Sequence, residues 1–264
     1  YLVSSYTINA QKMQFERFYD ETLAQASYII ANDKNEAIVI DPKRDIDTYL
    51  DYAKQNGLTI KYVTETHIHA DYLSGAPELA KATQAHLLLS NEGGPDWQYA
   101  LEHQPLKDNQ IIALGNVELK VMHTPGHTPE SLTFLVKNTK DVMAPTKAIT
   151  GDFIFVGDIG RPDLLEKAAG QKGSQYEGAH QLFASLNKFI KLPKNTELWP
   201  GHGAGSFCGK SLSTIPQSTL EHEIATSPAF QYWNDKQAFS QFILEGQPEP
   251  PKYFSVMKQW NKSV

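Results

Sequence analysis

Thr66-His67-Ile68-His69-Ala70-Asp71-Tyr72 follows directly on the apolar, β-branched run Leu58–Glu65, and its spacing governs how the rest of the chain is read. In an extended segment, residues i, i+2 and i+4 project to one side. His67, His69 and Asp71 are therefore expected to present two imidazoles and a carboxylate to one space just beyond a strand end. Three further groups repeat the placement. His123-Thr124-Pro125-Gly126-His127-Thr128-Pro129 sits between the strand candidates Asn116–Met122 and Ser131–Val136. Asp152 follows a strand around Ile149, within Thr150-Gly151-Asp152-Phe153, and Trp199-Pro200-Gly201-His202-Gly203 ends the short strand Glu197–Trp199. Such junctions are where α/β sheets place binding sites. A His-x-His-x-Asp signal with later His and Asp residues at strand ends predicts a metal site. His86, His103, His180 and His222 have no such setting and read as ordinary polar side chains, and His123 stands closer to them than His127 does.

Working outward, Gln14–Tyr19, Ala26–Ala31 and Glu36–Ile40 are rich in aromatic and β-branched residues, with Asn32-Asp33 and Asp41-Pro42 as turn signals. Asp45–Asn56 carries Ile46, Tyr49, Leu50 and Ala53 at helical spacing, with Gly57 as its stop. Ser74–Ala85 reads as a second helix that tolerates Pro77 in its first turn. His86–Leu89, Ile111–Leu114 and Thr150–Phe155 are further extended runs. The last hundred residues are more helical, over Tyr176–Ile190, Ser218–Ala225 and Asp235–Glu245, with Gln247–Pro251 as a linker or clasp. Strands alternating with helices predict an α/β layered architecture.

Composition narrows the class. The 264 residues carry 24 basic and 30 acidic side chains, a net charge of −6, and one cysteine, Cys208. No apolar run approaches the roughly 18 residues of a membrane span, and Tyr1–Phe15 lacks a basic-then-apolar leader pattern. One cysteine excludes an internal disulfide and any Cys-rich zinc or iron–sulfur site. Mild acidity with scattered Lys and Arg argues against a nucleic-acid surface. The expectation is a soluble, cytoplasmic protein with no nucleic-acid or membrane partner, whose metal is held by His, Asp and Glu.

His67-Ile68-His69-Ala70-Asp71, Pro125-Gly126-His127-Thr128-Pro129, Thr150-Gly151-Asp152 and Pro200-Gly201-His202-Gly203 resemble, in order, the metal motifs of the metallo-β-lactamase superfamily. The resemblance implies an αββα sandwich, two mixed sheets flanked by helices, with the site at one rim. It implies one catalytic domain over 1–264 with a helical extension over about 213–264. Two-metal hydrolases of the superfamily usually place a histidine after the aspartate of the first motif. Here that residue is Tyr72, which counts against a two-zinc thioesterase of the glyoxalase II kind.

Within the superfamily the wording is most similar to the persulfide dioxygenases (sulfur dioxygenases). Glu65–Asp71, the run from Gly151-Asp152-Phe153 through Gly160-Arg161-Pro162-Asp163-Leu164, and Gly201-His202-Gly203-Ala204-Gly205-Ser206 carry that likeness. The loop on through Cys208-Gly209-Lys210 resembles the bacterial dioxygenases with appended rhodanese domains. The resemblance implies one non-haem Fe(II) per chain held by His67, His127 and Asp152, with zinc as the alternative. Two imidazoles and a carboxylate on one face leave open positions for substrate and dioxygen. His69, Asp71 and His202 would orient ligands and bound water. The implied reaction takes a low-molecular-weight persulfide, such as glutathione persulfide, with dioxygen and water to thiol and sulfite, in disposal of sulfide and sulfane sulfur. The alternative is a metal-dependent thioester hydrolase.

Arg161 is a candidate to hold an anionic substrate, or else an ion-pair partner of Asp158 or Asp163. Cys208 is either a small buried hydrophobe or a sulfur-handling catalytic thiol whose thiolate Lys210 favours. Ala204-Gly205-Ser206-Phe207-Cys208-Gly209-Lys210-Ser211 also fits a relaxed phosphate-loop pattern, with Ala where the strict motif has Gly. It begins right after His202 and lacks an upstream strand ending in a magnesium-binding Asp, so the match is read as coincidence. Tyr253, Phe254 and Trp260 would support a homodimer. The start at Tyr1 and the end at Lys262-Ser263-Val264 leave room for a longer chain with rhodanese domains downstream, appended or separate.

Overall fold

The computed structural model describes residues 12–169 and 172–263. The Tyr1–Phe15 reading lies outside them up to residue 11, as does Val264 at the other end. The described strands form two six-stranded sheets. The first runs in chain order: β1 (Gln14–Asp20), β2 (Gln25–Ala31), β3 (Glu36–Ile40), β4 (Thr59–Thr64), β5 (His86–Ser90) and β6 (Gln104–Leu106). Its first three strands are an antiparallel meander, and β3 to β6 pair in parallel. Parallel neighbours need a crossover. Two of these crossovers are α1 (Asp47–Gln55), between β3 and β4, and α2 (Ala76–Thr83), between β4 and β5.

The second sheet holds β7 (Ile111–Leu114), β8 (Val117–His123), β9 (Leu132–Asn138), β10 (Lys147–Gly151), β11 (Glu197–Pro200) and β12 (Ser218–Thr219). All its pairs are antiparallel except β10–β11, which α3 (Leu164–Ala169) and α4 (Ser174–Phe189) connect.

Side-chain alternation sorts the layers. Along β2, Ala26, Tyr28 and Ile30 join Leu119, Val121, Phe134 and Ile149 of the second sheet in the central core. Ile29 and Ala31, pointing the other way, pack with Tyr49 and Ala53 of α1 and Leu79 of α2. On the far side, Leu182, Leu186 and Phe189 of α4 cover Met122, Leu135, Ala148 and Leu198. Leu220 of α5 (Leu220–Thr226) and Phe239 and Ile243 of α6 (Lys236–Leu244) complete that layer. Each fully buried side chain of this size contributes about 1.5–3 kcal/mol. The order helix, sheet, sheet, helix is the expected αββα sandwich.

Three local expectations change. The run Thr150–Phe155 is not a strand. β10 ends at Gly151, in left-handed conformation (φ 52°), and Thr150 Oγ1 donates to the Ile154 carbonyl at 2.6 Å, so residues 152–155 form a turn. The second predicted helix is shorter than Ser74–Ala85. Ser74 Oγ accepts from the Ala76 amide before its first turn, and Gln84 closes it in left-handed conformation. The region from 213 onward is not helical throughout, because β12 extends the second sheet beside β11. A last helix, α7 (Phe254–Ser263), had no clear sequence pattern and returns to the first sheet's loops.

Candidate metal centre

β3 and β4 end side by side, and the loop after β4 is held by side chains the sequence reading passed over. Asp41, just past β3, accepts from the Thr66 amide (2.7 Å) and from Thr66 Oγ1 (2.8 Å). Glu130 accepts from the Ile68 amide at 2.7 Å. Asn261 of α7 donates to the carbonyls of His69 and Tyr72 and accepts from the Ser74 amide. In the sequence Asp41 stands beside Pro42 as turn punctuation, although an acidic residue at a strand end is the same signal that points to Asp152. Nothing local distinguished Asn261.

The loop bends after Thr66, so His67, His69 and Asp71 do not share one face as expected. They separate into three settings. His67 joins His127 and Asp152: the Nε2 atoms lie 3.6 and 3.4 Å from Asp152 Oδ2. Thr66 spends its one hydroxyl proton on the Asp41 carboxylate, so at 2.9 Å it must accept from His67 Nδ1–H. His127 Nδ1–H donates to the Arg161 carbonyl at 3.0 Å. Both rings therefore turn a bare Nε2 lone pair toward Asp152 Oδ2, which is buried and has no hydrogen-bond partner among the described residues. Burial holds His67 well below its usual range and lowers His127 to about 4, so both imidazoles stay neutral. Burial opposes the charge on Asp152, but the charged, hydrogen-bonded His202 overcomes it and keeps the carboxylate ionised. Three buried acceptors with no proton between them repel one another unless a cation sits among them. The donor set fits a metal.

His202 bridges two carboxylates, with Nδ1 2.6 Å from Asp152 Oδ1 and Nε2 2.7 Å from Asp71 Oδ2. Burial works against its charge, but those carboxylates push it well above the usual histidine range. His69 turns the other way, with Nε2 3.0 Å from Asp41 Oδ1. Burial again opposes its charge, and Asp41 outweighs it, raising His69 to about 9. Tyr72 stacks on His69 (4.5 Å between centroids) and aims its hydroxyl at the Asp41 carbonyl. It supplies nothing to the Asp71–His202 side.

Cys208 is buried, and its sulfur lies within 4.8 Å of ligand atoms of Asp71 and His202. Burial, then the Asp152 and Asp71 charges, push the thiol well above its usual range. The expected help from Lys210 is absent, since its ammonium donates to the Phe242 and Glu245 carbonyls. The anion-holding reading of Arg161 also changes. Its guanidinium is fully buried, with Nε and Nη2 on both Asp163 oxygens at 2.8 Å and Nη1 on the Phe207 carbonyl. Arg161 serves the site through its backbone carbonyl, which orients His127.

A family model described as the metallo-beta-lactamase superfamily matches residues 21–202. A solved metallo-beta-lactamase from Staphylococcus aureus subsp. aureus COL superposes with a TM-score of 0.87 at 43% identity, covering 95% of this chain and 72% of that one. The persulfide dioxygenase ETHE1 of Bos taurus is 24% identical over 85% of this chain and 81% of its own length. A hydroxyacylglutathione hydrolase of Prochlorococcus marinus is 26% identical over 64% of this chain and 61% of its own. The chain spans 50–61% of the length of several curated relatives that it matches. No helix among the described residues is long and apolar enough to cross a membrane.

Proposed function

The chain belongs to the metallo-β-lactamase superfamily, and from that premise we propose that it is a non-haem Fe(II) persulfide dioxygenase. In this reading a low-molecular-weight persulfide, dioxygen and water become thiol and sulfite. The observation that carries it is the three-donor set of bare His67 Nε2, bare His127 Nε2 and the orphaned Asp152 Oδ2. Two neutral imidazoles and one carboxylate with open positions are the donor set of non-haem iron oxygenases. Likeness to a persulfide dioxygenase over most of both chains supports the same choice.

Iron, when bound, supplies open positions for two reactants and the redox electrons that zinc lacks. The chain's own residues do the rest. His67 and His127 are fixed in tautomer and orientation by Thr66 and Arg161. His202 clamps Asp152 and holds a proton at Nε2 on Asp71, where it can serve the departing thiolate. Burial of His67, His127, Asp152 and His202 keeps bulk water from the reactants. Cys208 would handle sulfane sulfur as a protonated thiol, and a rhodanese domain, appended or separate, would be its relay partner.

A thioester hydrolase is the second reading, favoured by likeness to the hydroxyacylglutathione hydrolase and by a second donor group, Asp71, His202 and Cys208. Anaerobic purification, metal quantification and an oxygen-electrode assay with glutathione persulfide separate the two. Iron-dependent oxygen uptake with sulfite release is expected. Zinc-only protein that hydrolyses S-lactoylglutathione without consuming oxygen overturns the dioxygenase reading.

A further inference from the structure

We propose that Lys258 is the anion-binding residue of this site, its ammonium receiving the charged sulfur or oxyanion end of the substrate beside Trp97. This rests on reading the site as one for an anionic sulfur compound. The placement follows from α7. Phe254 is buried against Ala70 and Leu164, and Asn261 is buried on the His69 and Tyr72 carbonyls. Lys258 lies four residues after the first and three before the second, so all three share the helix face turned to the metal loop. Its Nζ stands 4.9 Å from the Trp97 ring centroid.

Two features separate Lys258 from a structural ion pair. Among the described residues no acceptor takes a hydrogen bond from it and no carboxylate comes within ion-pair distance. The charges that act on it are carboxylates of the site, Glu130 first, then Asp152 and Asp71, and its own charge acts on His67 and His127. Glu130 is itself anchored through Oε1 to Ile68 and Thr128, while its buried Oε2 is unpartnered. Burial lowers Lys258 from its usual range, and an ammonium with no carboxylate at ion-pair distance gains from an anion that reaches it. The need is equally plain from the substrate's side. A persulfide anion, or the sulfite formed from it, meets the field of the Asp71, Asp152 and Glu130 carboxylates, and a compact cation acting on the same groups offsets their repulsion. Trp97 holds that cation over its face without neutralising it.

The test uses zinc-loaded protein, which cannot turn over, titrated calorimetrically with sulfite. Lys258→Met is expected to weaken sulfite binding about tenfold or more, the loss typical of a charged hydrogen-bond partner, and Lys258→Arg to retain most of it. With iron-loaded protein and glutathione persulfide, the same loss should appear mainly in KM. Lys258→Gln serves if the Met variant does not fold. Wild-type affinity in a folded Lys258→Met or Lys258→Gln variant overturns the proposal, as does a wild-type protein that binds no sulfite. If iron-loaded wild type takes up no oxygen while zinc-loaded protein binds sulfite through Lys258, the dioxygenase reading fails and this one stands.

Discussion

His202 Nδ1 lies 2.6 Å from Asp152 Oδ1, and this contact decides which carboxylate oxygen remains for a metal. With Oδ1 engaged, Oδ2 is the atom that faces both His67 and His127. Removing the clamp frees the carboxylate to rotate without deleting a ligand. His202→Ala should weaken metal affinity by about 10–100-fold, the usual cost of losing a partner behind a ligand. Chelator competition measures this. His67→Ala and Asp152→Ala should go further and purify without stoichiometric metal. His202→Ala protein that holds metal as tightly as wild type would show that Asp152 needs no clamp.

Asp41 makes a second prediction, on stability. It accepts from Thr66 twice and from His69, all buried. Asp41→Ala leaves an imidazolium and two donors without their acceptor. Breaking a buried pair from one side costs about 3–5 kcal/mol. The midpoint of urea unfolding should fall accordingly, and His69→Gln in the same background should recover part of the loss by removing the unpaired charge.

These two residues also mark how far the sequence could be read. His67, His127, Asp152 and His202 were legible because each stands at the end of a short extended run, and strand ends converge in a layered sheet. Asp41 obeys the same rule but sits before a proline, where turn chemistry was explanation enough. The bend after Thr66 was not legible, because it depends on Asp41 and Glu130 drawing in backbone amides from other strands. Lys258 and Asn261 were hidden for a related reason. Tyr253 just before α7 and Val256 and Trp260 on its outer face are each about half exposed, which blurs the helical stripe. Only the packed helix reveals the inner face.

Metal-free protein should lose stability on both sides of near-neutral pH. Burial lowers His127 to about 4 in the folded state from an ordinary 6.5. Between those values the unfolded chain binds more protons, so stability falls as pH drops from about 6.5 toward 4. His69 is shifted the opposite way, with burial outweighed by Asp41, to about 9. Its contribution is fully present below 6.5 and is lost as pH rises through 9. Urea unfolding of chelator-treated protein across this range measures both limbs. His127→Gln should flatten the acid limb and His69→Gln the alkaline one. An unchanged acid limb in His127→Gln would assign it to other groups.

Gly160 packs against the metal strand end so closely that a Cβ there would lie 1.7 Å from the Asp152 carbonyl oxygen. That neighbour is backbone and cannot swing aside. Gly160→Ala must displace either residue 152 or the loop behind His127. Overpacking of this kind costs about 1–3 kcal/mol or above, and here the strain falls on a ligand. Reduced metal content together with a lowered Tm is the expected pair of results. A stability loss with full metal retention would mean that the turn relaxes away from Asp152.

Cys208 brings the chemistry to its sharpest test. Its thiol is buried beside Asp71 and His202, and both burial and the neighbouring carboxylates keep it protonated. A protonated, buried thiol is a poor nucleophile toward bulk reagents. Free wild-type protein should therefore react slowly with iodoacetamide at pH 7, and urea should expose the thiol to rapid labelling. A sulfane-sulfur role needs the substrate's own sulfur to reach it beside Asp71 and His202. Cys208→Ser keeps the volume close and removes the sulfur, so metal content and fold should persist while persulfide turnover falls. Mass spectrometry of wild-type protein after persulfide treatment should then find one added sulfur at Cys208. Unchanged turnover and persulfide range in Cys208→Ser, with no added sulfur in the wild type, would take the thiol out of the mechanism and leave it as packing beside Asp71 and His202.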